Sequence, residues 1–408
     1  MTTNPPTFSK RAMDALLARN DAKQWEFLIG NLLKRLELPP ATRAAAEADY
    51  LRLADSIANK LGILPGEIQI FAQGSMRTQT TIPQRAPAKL FDLDIVVKLK
   101  SGWLAQMNPH DLFRIFGEAL EGNESVTGVP EEKRRCWFLN YPGKDYCFDV
   151  TPAVQEPAAH SESVLRVRDP DSDWSPSNPI DFADWFCTRA KLRFEFQRVV
   201  TRKAFDATAS VEPLPDEDIG MDDILRRAVQ LMKLHRDGMY WYKDKEIKRA
   251  QPISVILVTL AGHACEKLWI EEQRGQRKFS SAIEVALAIV EELPNFIHRE
   301  SGVFKVCNPG LSTENFADKW NNDEGVRAKQ FALWHTQLEQ DLDALLHQGE
   351  AYVSEEKLRA VFGQAGVDAW KASKPKVSVM DGLLGTASAH VKTNPTTPTR
   401  LGSSGTLG

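Results

Sequence analysis

A chain of 408 residues with 42% hydrophobic and 26% charged residues is long enough to bury a sizeable core and to form two lobes. The formal net charge of -4 excludes an overall attraction to nucleic acid, so the sequence does not require a nucleic-acid partner. No apolar stretch approaches the roughly 18 to 20 residues of a membrane helix, so we expect a cytoplasmic protein with no membrane partner. The five cysteines form no C-x-x-C pair, which favours reduced thiols over disulfides or a zinc site.

The first third of the chain predicts helices followed by a sheet. Residues 10–36 and 41–61 carry apolar residues at three- and four-residue spacing, which predicts two long helices separated by Pro39 and Pro40. Beyond them, apolar and polar residues alternate, which is typical of strands. The predicted strands are residues 67–72, 90–99, 135–140 and 146–154.

From residue 179 onward the pattern is almost wholly helical. The predicted helices are residues 180–203, 222–236, 254–273, 280–292 and 324–347. The last stretch is rich in Gly, Ser, Thr and Pro, which predicts a flexible tail. The expected fold class is therefore α+β, with a sheet lobe and its long N-terminal helices in residues 1–178, a helical lobe in residues 179–370 and the tail in residues 371–408.

Three aspartates stand out in the predicted strands. Strand alternation places Asp92 and Asp94 on one face of their strand, about 6 to 7 Å apart, opposite an apolar face. Asp149 faces away from its apolar neighbours on a later strand, which could bring it beside the first two. Because like charges repel, such a group favours hard divalent cations, and three carboxylates can hold two magnesium ions.

A Gly-Ser pair follows the first predicted strand. Glycine lets the backbone approach a phosphate closely, while the Ser75 hydroxyl and nearby N–H groups can donate hydrogen bonds to it. The pair Gly74–Ser75 is therefore predicted to contact a phosphate. Either motif alone is common, but their combination in this order, each on or beside a strand, is much rarer.

This combination resembles the DNA-polymerase-β-like nucleotidyltransferases and, among them, the cGAS/DncV-like nucleotidyltransferases, or CD-NTases. These make cyclic di- and trinucleotide second messengers in bacterial anti-phage systems. The likeness covers roughly residues 44–362, with the usual error at its boundaries. Its further motifs are Q-G-S-x-R-T-x-T at residues 73–80, a W…NP…W segment of Trp174, Asn178, Pro179 and Trp185, K-x-H-R-D at residues 233–237, P-I-S at residues 252–254 and E-N-F-A-D-K-W at residues 314–320.

The resemblance implies a polymerase-β-like sheet lobe packed against the helical lobe, and it implies roles for named residues. Asp92, Asp94 and Asp149 would be the metal ligands, with Asp149 activating an attacking 3′ or 2′ hydroxyl. Gly74 and Ser75 would hold the donor triphosphate. Lys233 and Ser254 would complete this contact from the helical lobe. The implied cofactor is a pair of Mg²⁺ ions, for which Mn²⁺ can substitute, without an organic cofactor.

Structural explanations compete with some of these roles. Lys233 lies away from the apolar stripe of its predicted helix, so it can reach into a cleft. A solvated lysine is the default interpretation of this residue by itself, and the resemblance favours the functional one. Ser254 can be simply a helix N-cap, a position that is compatible with anion binding. His235 falls on the apolar stripe and is interpreted as a packed core residue. Asp237 can simply end its helix before Gly238.

Two more motifs are interpreted first as structural. Asn178 before Pro179 is expected to be a helix cap or a turn residue. Residues 314–320 are expected to begin a surface helix and to serve packing rather than catalysis.

The predicted function is a cyclic oligonucleotide synthase. The likeness to the CdnD branch implies ATP and GTP as substrates and a product such as cyclic AMP-AMP-GMP. Two alternatives remain: a linear-product enzyme of the oligoadenylate or poly(A) type, and a non-catalytic nucleotide-sensing scaffold. The three intact acids weigh against the scaffold.

The C-terminal glycine suggests a covalent partner. In some operons of this family a ubiquitin-transferase-like enzyme attaches the synthase through its last residue, and an unhindered Gly408 on a flexible arm suits such conjugation. An unstructured end or a linker added for expression explains the same residues equally well.

Overall fold

A computed structural model of the protein describes residues 7–84, 90–122, 127–196, 223–349 and 353–373. The chain divides into one compact unit, Met1–Lys371, and a second unit, Ala372–Gly408. The predicted tail, apart from residues 371–373, and Gly408 lie outside the described residues. Within the described ranges, no helix is both long enough and apolar enough to cross a membrane.

The predicted mixture of helices and strands is confirmed. The helices are α1 (Phe8–Arg19), α2 (Ala22–Lys34), α3 (Pro40–Leu61), α4 (Gly74–Thr78), α5 (Gly102–Ala105), α6 (Pro109–Leu120), α7 (Pro179–Ala190), α8 (Ile224–Tyr240), α9 (Lys245–Arg249), α10 (Ser254–Gln273), α11 (Ala282–Glu292), α12 (Val326–Leu346) and α13 (Glu355–Ser373). The strands are β1 (Ile68–Ala72), β2 (Phe91–Leu99), β3 (Val129–Glu132), β4 (Trp137–Asn140), β5 (Tyr146–Gln155), β6 (Leu165–Asp169), β7 (Asp173–Ser177), β8 (His298–Glu300), β9 (Val303–Lys305), β10 (Cys307–Asn308) and β11 (Leu311–Asn315).

The first predicted helix, residues 10–36, is divided in two in the structure. Asn20 adopts the left-handed conformation, with φ of 57°, and its N–H donates to the carbonyls that end α1. Asparagine tolerates this conformation better than most residues, so it can terminate a helix. The apolar spacing continues on both sides of the break, which is why the sequence pattern predicted a single helix.

The large sheet is built around a parallel pair of strands. β2 and β5 are parallel and in register from Phe91 opposite Tyr146 to Leu99 opposite Val154. β1 pairs with the other edge of β2, and β4 and then β3 continue the sheet beyond β5, all antiparallel. β6 pairs with the last residues of β5, and β7 pairs with β6. The four predicted strands correspond to β1, β2, β4 and β5.

One buried cluster lies on the apolar face of this sheet. Alternate residues of β2, beginning with Phe91 and Leu93, are buried there against α3 and α6. Each such side chain contributes about 1.5–3 kcal/mol when it is fully removed from water. This burial fixes the opposite face of β2, which carries Asp92 and Asp94, toward the rest of the molecule.

A second buried cluster is formed by helices and includes the N-terminal pair. Leu16 of α1 and Trp25 of α2 are fully buried in it, and these helices contact α8, α11 and α12. Residues 1–178 were predicted as one lobe, but α1 and α2 pack with the helices of the second half. The physical reason is that their apolar faces are completed by α11 and α12, whereas α3 completes the sheet cluster.

The second half contains more than the predicted helices. α8, α10, α11 and α12 confirm four of them within a few residues, but the helix predicted at residues 180–203 ends at Ala190. Of its remaining residues, those from 197 onward lie outside the described ranges. Two small hairpins, β8–β9 and β10–β11, were not predicted. Strands of two to five residues are too short to show a clear alternation.

A buried carboxylate joins α3 to the start of β5. Asp49 accepts a hydrogen bond from the Tyr146 hydroxyl and pairs with Arg52 and with Lys144, whose Nζ lies 3.2 Å away. Burial alone would raise the pKa of Asp49, but the hydrogen bonds from Tyr146, Arg52 and Lys144 outweigh it, and the pKa lies below its ordinary value.

We expect Asp49→Asn to lower the free energy of unfolding by about 1–3 kcal/mol at pH 7, because it removes the charge from these hydrogen bonds. A lowered pKa stabilises the fold above the pKa of the unfolded chain, about 3.9, and this contribution is lost as the pH falls through the folded value. The difference between wild type and variant should therefore shrink below about pH 4. Urea unfolding at pH 7 and pH 3 measures it. Asp55→Asn, an exposed carboxylate on the same helix, is the control. If the difference in unfolding free energy between wild type and Asp49→Asn does not vary with pH, the lowered pKa of Asp49 is contradicted.

Candidate active site

The Gly-Ser pair lies against one of the predicted acids. β1 ends at Ala72, and the Gln73 N–H donates to the Asp94 carbonyl, 2.9 Å away, so the turn is fixed to β2. Gly74 has φ of 54°, and a Cβ at this position would overlap with the Asp94 carboxylate. Both facts require glycine at this position. The Ser75 hydroxyl accepts from Thr81 Oγ1 at 3.3 Å.

The sheet places the three aspartates next to one another. Asp94 lies directly opposite Asp149 in the parallel register, and Asp92 lies two residues earlier on the same face of β2. Neighbouring strands are about 4.8 Å apart, so Asp94 and Asp149 are adjacent residues across the pair. Asp92 and Asp94 line a cleft of about 750 Å³, whereas Asp149 does not line it.

Burial and mutual repulsion change how these acids titrate. Burial, together with the charges of Asp92 and Asp149, raises the pKa of Asp94 to about 7. Burial and the charge of Asp92 raise the pKa of Asp149 to about 6. The pKa of Asp92 is also raised, chiefly by burial. The charged forms are therefore costly here, as expected for carboxylates that receive a cation or share a proton.

The acids offer oxygen atoms to a hard cation. Asp149 Oδ1 is buried and has no hydrogen-bond partner, which is costly for a carboxylate oxygen unless another group binds it. Oxygen donors of this kind suit Mg²⁺ or Mn²⁺. Among the described residues, however, no group of three or more His, Cys, Asp and Glu side chains is placed so that it could hold a metal ion. The three-carboxylate ligand set stays a prediction.

Three groups beside the acids were missed from the sequence. The Cys147 thiol lies 3.7 Å from Asp92 Oδ1, and the Cys136 thiol is hydrogen-bonded to Asp149. Burial and the neighbouring acids raise the pKa of Cys147 to about 12, so this thiol stays protonated and can donate. Lys133 lowers the pKa of Asp149 by its charge. Strand alternation could have found Cys147, since it lies two residues before Asp149 on the same face.

Lys233 lines the same cleft but is not solvated. Only 5% of the residue is exposed, and its Nζ donates to the Thr80 carbonyl at 2.9 Å. Burial, with repulsion from Arg236, lowers the pKa of Lys233 to about 8, while the charges of Asp237 and Asp94 oppose that change. The interpretation as a surface lysine is therefore wrong. A buried ammonium beside the Thr80 carbonyl can bind an anion that enters the cleft.

Ser254 also lines the cleft, and its contact differs from the one expected. The N-cap of α10 is Ile253, so Ser254 is the first residue of the helix rather than its cap. Its hydroxyl instead accepts from Arg236 Nη1 at 2.9 Å. Arg236 was missed as a cleft residue, although it follows Lys233 by three residues and therefore shares its helix face.

The structure thus brings most of the predicted site residues together. The residues that line one cleft are Gly74, Ser75, Asp92, Asp94, Lys233 and Ser254. They come from α4, β2, α8 and α10, so the cleft lies between the sheet and the helices.

The structural interpretations of His235 and Asn178 hold, whereas that of Asp237 does not. His235 is fully buried, with Nε2 3.1 Å from Asp341 Oδ2, so it is a packed residue. Asn178 caps α7 by accepting from the Asp181 N–H at 3.1 Å. Asp237 does not end its helix, because α8 continues to Tyr240.

Residues 314–320 do not begin a surface helix. Glu314 lies in β11 and accepts from the Asn178 N–H at 3.0 Å and from Asn308 Nδ2 at 2.7 Å. Residues from Asp318 onward form a short 3-10 helix in which Trp320 is buried. The expected packing role is consistent with these contacts, but the segment also lines the cleft.

We expect Gly74→Ala to weaken triphosphate binding at least about tenfold, because the new methyl group requires Asp94 to move and a positive φ costs a non-glycine residue about 1–2 kcal/mol. Calorimetric titration with a nonhydrolysable triphosphate measures the affinity. Gly66→Ala is the control, since a Cβ there meets nothing within 4 Å. An unchanged affinity in Gly74→Ala would contradict a role in triphosphate binding for the close approach of Gly74 to Asp94.

Comparison with known proteins shows what the chain is similar to. No model of a known protein family matches the chain. A curated protein of Roseivirga ehrenbergii, named c-di-GMP synthase, is 28% identical over 309 residues, which is 75% of each chain.

Solved structures share the fold. The CD-NTase CdnG of Bradyrhizobium diazoefficiens, in complex with GTP, superposes with a TM-score of 0.62 over 85% of this chain and 97% of that chain, at 22% identity. CdnC of Escherichia coli MS115-1, in a complex with HORMA-deltaN, superposes with a TM-score of 0.55 over 83% of this chain and 96% of that chain, at 13% identity. A Vibrio cholerae DncV mutant in complex with ATP and GTP superposes with a TM-score of 0.55 over 83% of this chain and 94% of that chain, at 15% identity.

These matches extend over nearly the whole of the compared structures. They confirm the predicted resemblance at the level of fold and leave the CdnD branch a prediction. The chain therefore has the fold of the CD-NTases, with the Gly-Ser turn and the acids of β2 at the cleft between sheet and helices.

Proposed function

We propose that the protein is a nucleotidyltransferase that joins nucleoside triphosphates into a cyclic oligonucleotide and releases pyrophosphate. The observation that carries this proposal is the meeting of Asp92 and Asp94 with the Gly74–Ser75 turn and Lys233 in one cleft. Acids that bind divalent cations and groups that bind phosphate are the two requirements of phosphoryl transfer. The fold shared with the CD-NTases supports the cyclic product.

The residues of the cleft divide the work of the reaction. The backbone of Gly74 and the Ser75 hydroxyl donate to the donor triphosphate, and the Lys233 ammonium exchanges its contact with Thr80 for a phosphate oxygen. Ser254 and Arg236 contribute donors from the start of α10 and from α8. Asp149, which lies beside Asp94 across the strand pair, is the proposed acceptor of the proton of the attacking hydroxyl.

Asp92, Asp94 and Asp149 are the residues that would hold two Mg²⁺ ions, with Mn²⁺ as a substitute and no organic cofactor. Bound in this way, the metals would lower the pKa of the attacking hydroxyl and stabilise the charge of the leaving pyrophosphate. The unpartnered Oδ1 of Asp149 supports this assignment.

We propose ATP and GTP as substrates, a product such as cyclic AMP-AMP-GMP, and a second-messenger role in anti-phage defence in the cytoplasm. The nucleotides in the solved structures support GTP as a substrate more strongly than ATP. CdnG was determined with GTP, and the DncV mutant was determined with both nucleotides. The name of the Roseivirga protein raises a second candidate, a product made of GMP units alone.

Two other functions remain to be tested. A linear-product enzyme of the oligoadenylate or poly(A) type would use the same acids and the same turn. A nucleotide-sensing scaffold would bind nucleotide without turnover, and the acids in the cleft weigh against it because a scaffold does not need them.

We expect the protein to convert labelled nucleoside triphosphates, in the presence of Mg²⁺, into a phosphatase-resistant product. Cyclisation removes the terminal phosphates that a phosphatase attacks, whereas a linear oligonucleotide keeps them. Incubation with ATP, GTP, CTP and UTP singly and in pairs, followed by phosphatase and mass spectrometry, identifies the product. Phosphatase-sensitive material alone would exclude cyclisation, and a product from GTP alone would exclude cyclic AMP-AMP-GMP.

We expect Asp92→Asn combined with Asp94→Asn to abolish product formation and leave the fold intact. The change removes charges that repel each other and that burial disfavours, so the thermal unfolding temperature without divalent cation should be unchanged or raised. Product assays and circular dichroism measure the two effects. Asp111→Asn, an exposed acid in α6, is the matched control. Retained activity in the double variant would overturn the metal assignment.

The proposed protein partner is a ubiquitin-transferase-like enzyme that conjugates Gly408. The compared structures offer no support for this partner, since CdnC was determined in a complex with a different protein, HORMA-deltaN. Mass spectrometry of protein co-expressed with the genes of its operon is the direct test, and an unmodified Gly408 would remove this partner.

A further inference from the structure

Three side chains of α8 contact the loop that carries the Gly-Ser pair. We call residues 73–81 the phosphate loop. Arg226 Nε donates to the Thr78 carbonyl at 2.7 Å, Lys233 Nζ donates to the Thr80 carbonyl at 2.9 Å, and Gln230 Nε2 lies 3.5 Å from the Thr81 carbonyl. Spacings of four and three residues place all three on one face of the helix. Helix α8 therefore contacts three carbonyls of the loop before a nucleotide binds.

Contacts inside the loop connect these carbonyls to the predicted phosphate donors. Thr78 Oγ1 donates to the Gly74 carbonyl at 3.0 Å and lies 2.9 Å from Thr80 Oγ1. Thr81 Oγ1 donates to the Ser75 hydroxyl at 3.3 Å. The same residues whose carbonyls α8 holds thus orient Gly74 and Ser75 through their side chains.

Arg226 differs from Lys233 in its surroundings. Lys233 lines the active-site cleft, whereas Arg226 and Gln230 line a separate cavity of about 450 Å³. The Arg226 guanidinium is also paired with Asp223 and lies 3.6 Å from the Cys187 thiol, so its position is fixed before any ligand binds. Because Arg226 does not line the cleft, we expect any effect of this residue on nucleotide binding to pass through the loop.

We propose that Arg226, assisted by Gln230, is a positioning residue that shapes the phosphate loop for the triphosphate of the donor nucleotide. By fixing the Thr78 carbonyl it holds the short helix α4 so that Gly74 and Ser75 point their donors into the cleft before nucleotide binds. A loop shaped in advance loses less conformational entropy on binding, which raises affinity without a new contact to the ligand. This inference rests on the proposed function, because it assigns Gly74 and Ser75 to a triphosphate.

The variant Arg226→Ala tests the proposal against a merely structural role. We expect it to raise the dissociation constant for a nonhydrolysable GTP analogue, and the KM for GTP, about tenfold, with a smaller change in kcat. Arg226→Lys keeps a donor of similar reach and should restore most of the affinity. Calorimetry, steady-state kinetics and thermal unfolding are measured on the full chain.

The matched control is Arg189→Ala. Arg189 is a partly buried arginine of α7 that donates to Glu266 at 2.6 Å and to the Trp185 carbonyl at 3.3 Å, and neither partner belongs to the phosphate loop. Its loss should lower the unfolding temperature and leave the dissociation constant and KM unchanged. If Arg226→Ala does not fold, Arg226→Lys and Gln230→Ala carry the test, with an expected rise of about twofold for Gln230→Ala, which removes the longest contact.

The outcomes separate this inference from the proposed function. Wild-type protein that binds no triphosphate would overturn both. Wild-type binding with an equal dissociation constant in Arg226→Ala would overturn the positioning role alone. If Arg226→Ala loses only thermal stability, as we expect for Arg189→Ala, the positioning role is also overturned. Weakened binding in Arg226→Ala that Arg226→Lys restores supports the proposal.

Discussion

The parallel pairing of β2 with β5 is the constraint on which the site depends. It places Asp94 opposite Asp149 and fixes Asp92 on the same face, while the other face of β2 is buried against α3 and α6. A slip of one residue in either strand would turn its acids into the apolar cluster, which burial of charge forbids. The hydrophobic core thus determines the position of the charges. Gly74 then fits against Asp94 because that carboxylate has a single position.

Charges of both signs are held in the cleft at a cost to each. Burial raises the pKa of Asp94 to about 7 and lowers that of Lys233 to about 8, so both groups are closer to neutrality than they would be in water. Their mutual attraction only partly offsets this desolvation. A magnesium–triphosphate complex carries charges of both signs, and it would complete the interactions of both groups in one binding event. The proposed binding of a metal–triphosphate complex is consistent with this pairing of charges.

The sequence predicted the parts of the site that depend on local periodicity. Alternation in β2 and β5 was sufficient to put Asp92, Asp94 and Asp149 on one side, because the period of a strand does not depend on its neighbours. The burial of Lys233 could not be predicted in this way, since it results from the packing of α8 against a loop more than 150 residues earlier in the chain. The contact of Arg226 with the Thr78 carbonyl could not be predicted either, because a backbone carbonyl has no sequence signature. The break at Asn20 was missed because the apolar spacing continues across it.

The division of the N-terminal helices between the two buried clusters has a consequence for how the chain is made. α1 and α2 are synthesised before the sheet, but the helices that cover their apolar faces, α11 and α12, are synthesised after it. α3 and the sheet, synthesised between them, can form their own cluster much earlier. For most of translation the first helices therefore have an exposed apolar face, a surface that a chaperone would recognise. The sheet with its acids would be assembled before the helices that close the cleft over it.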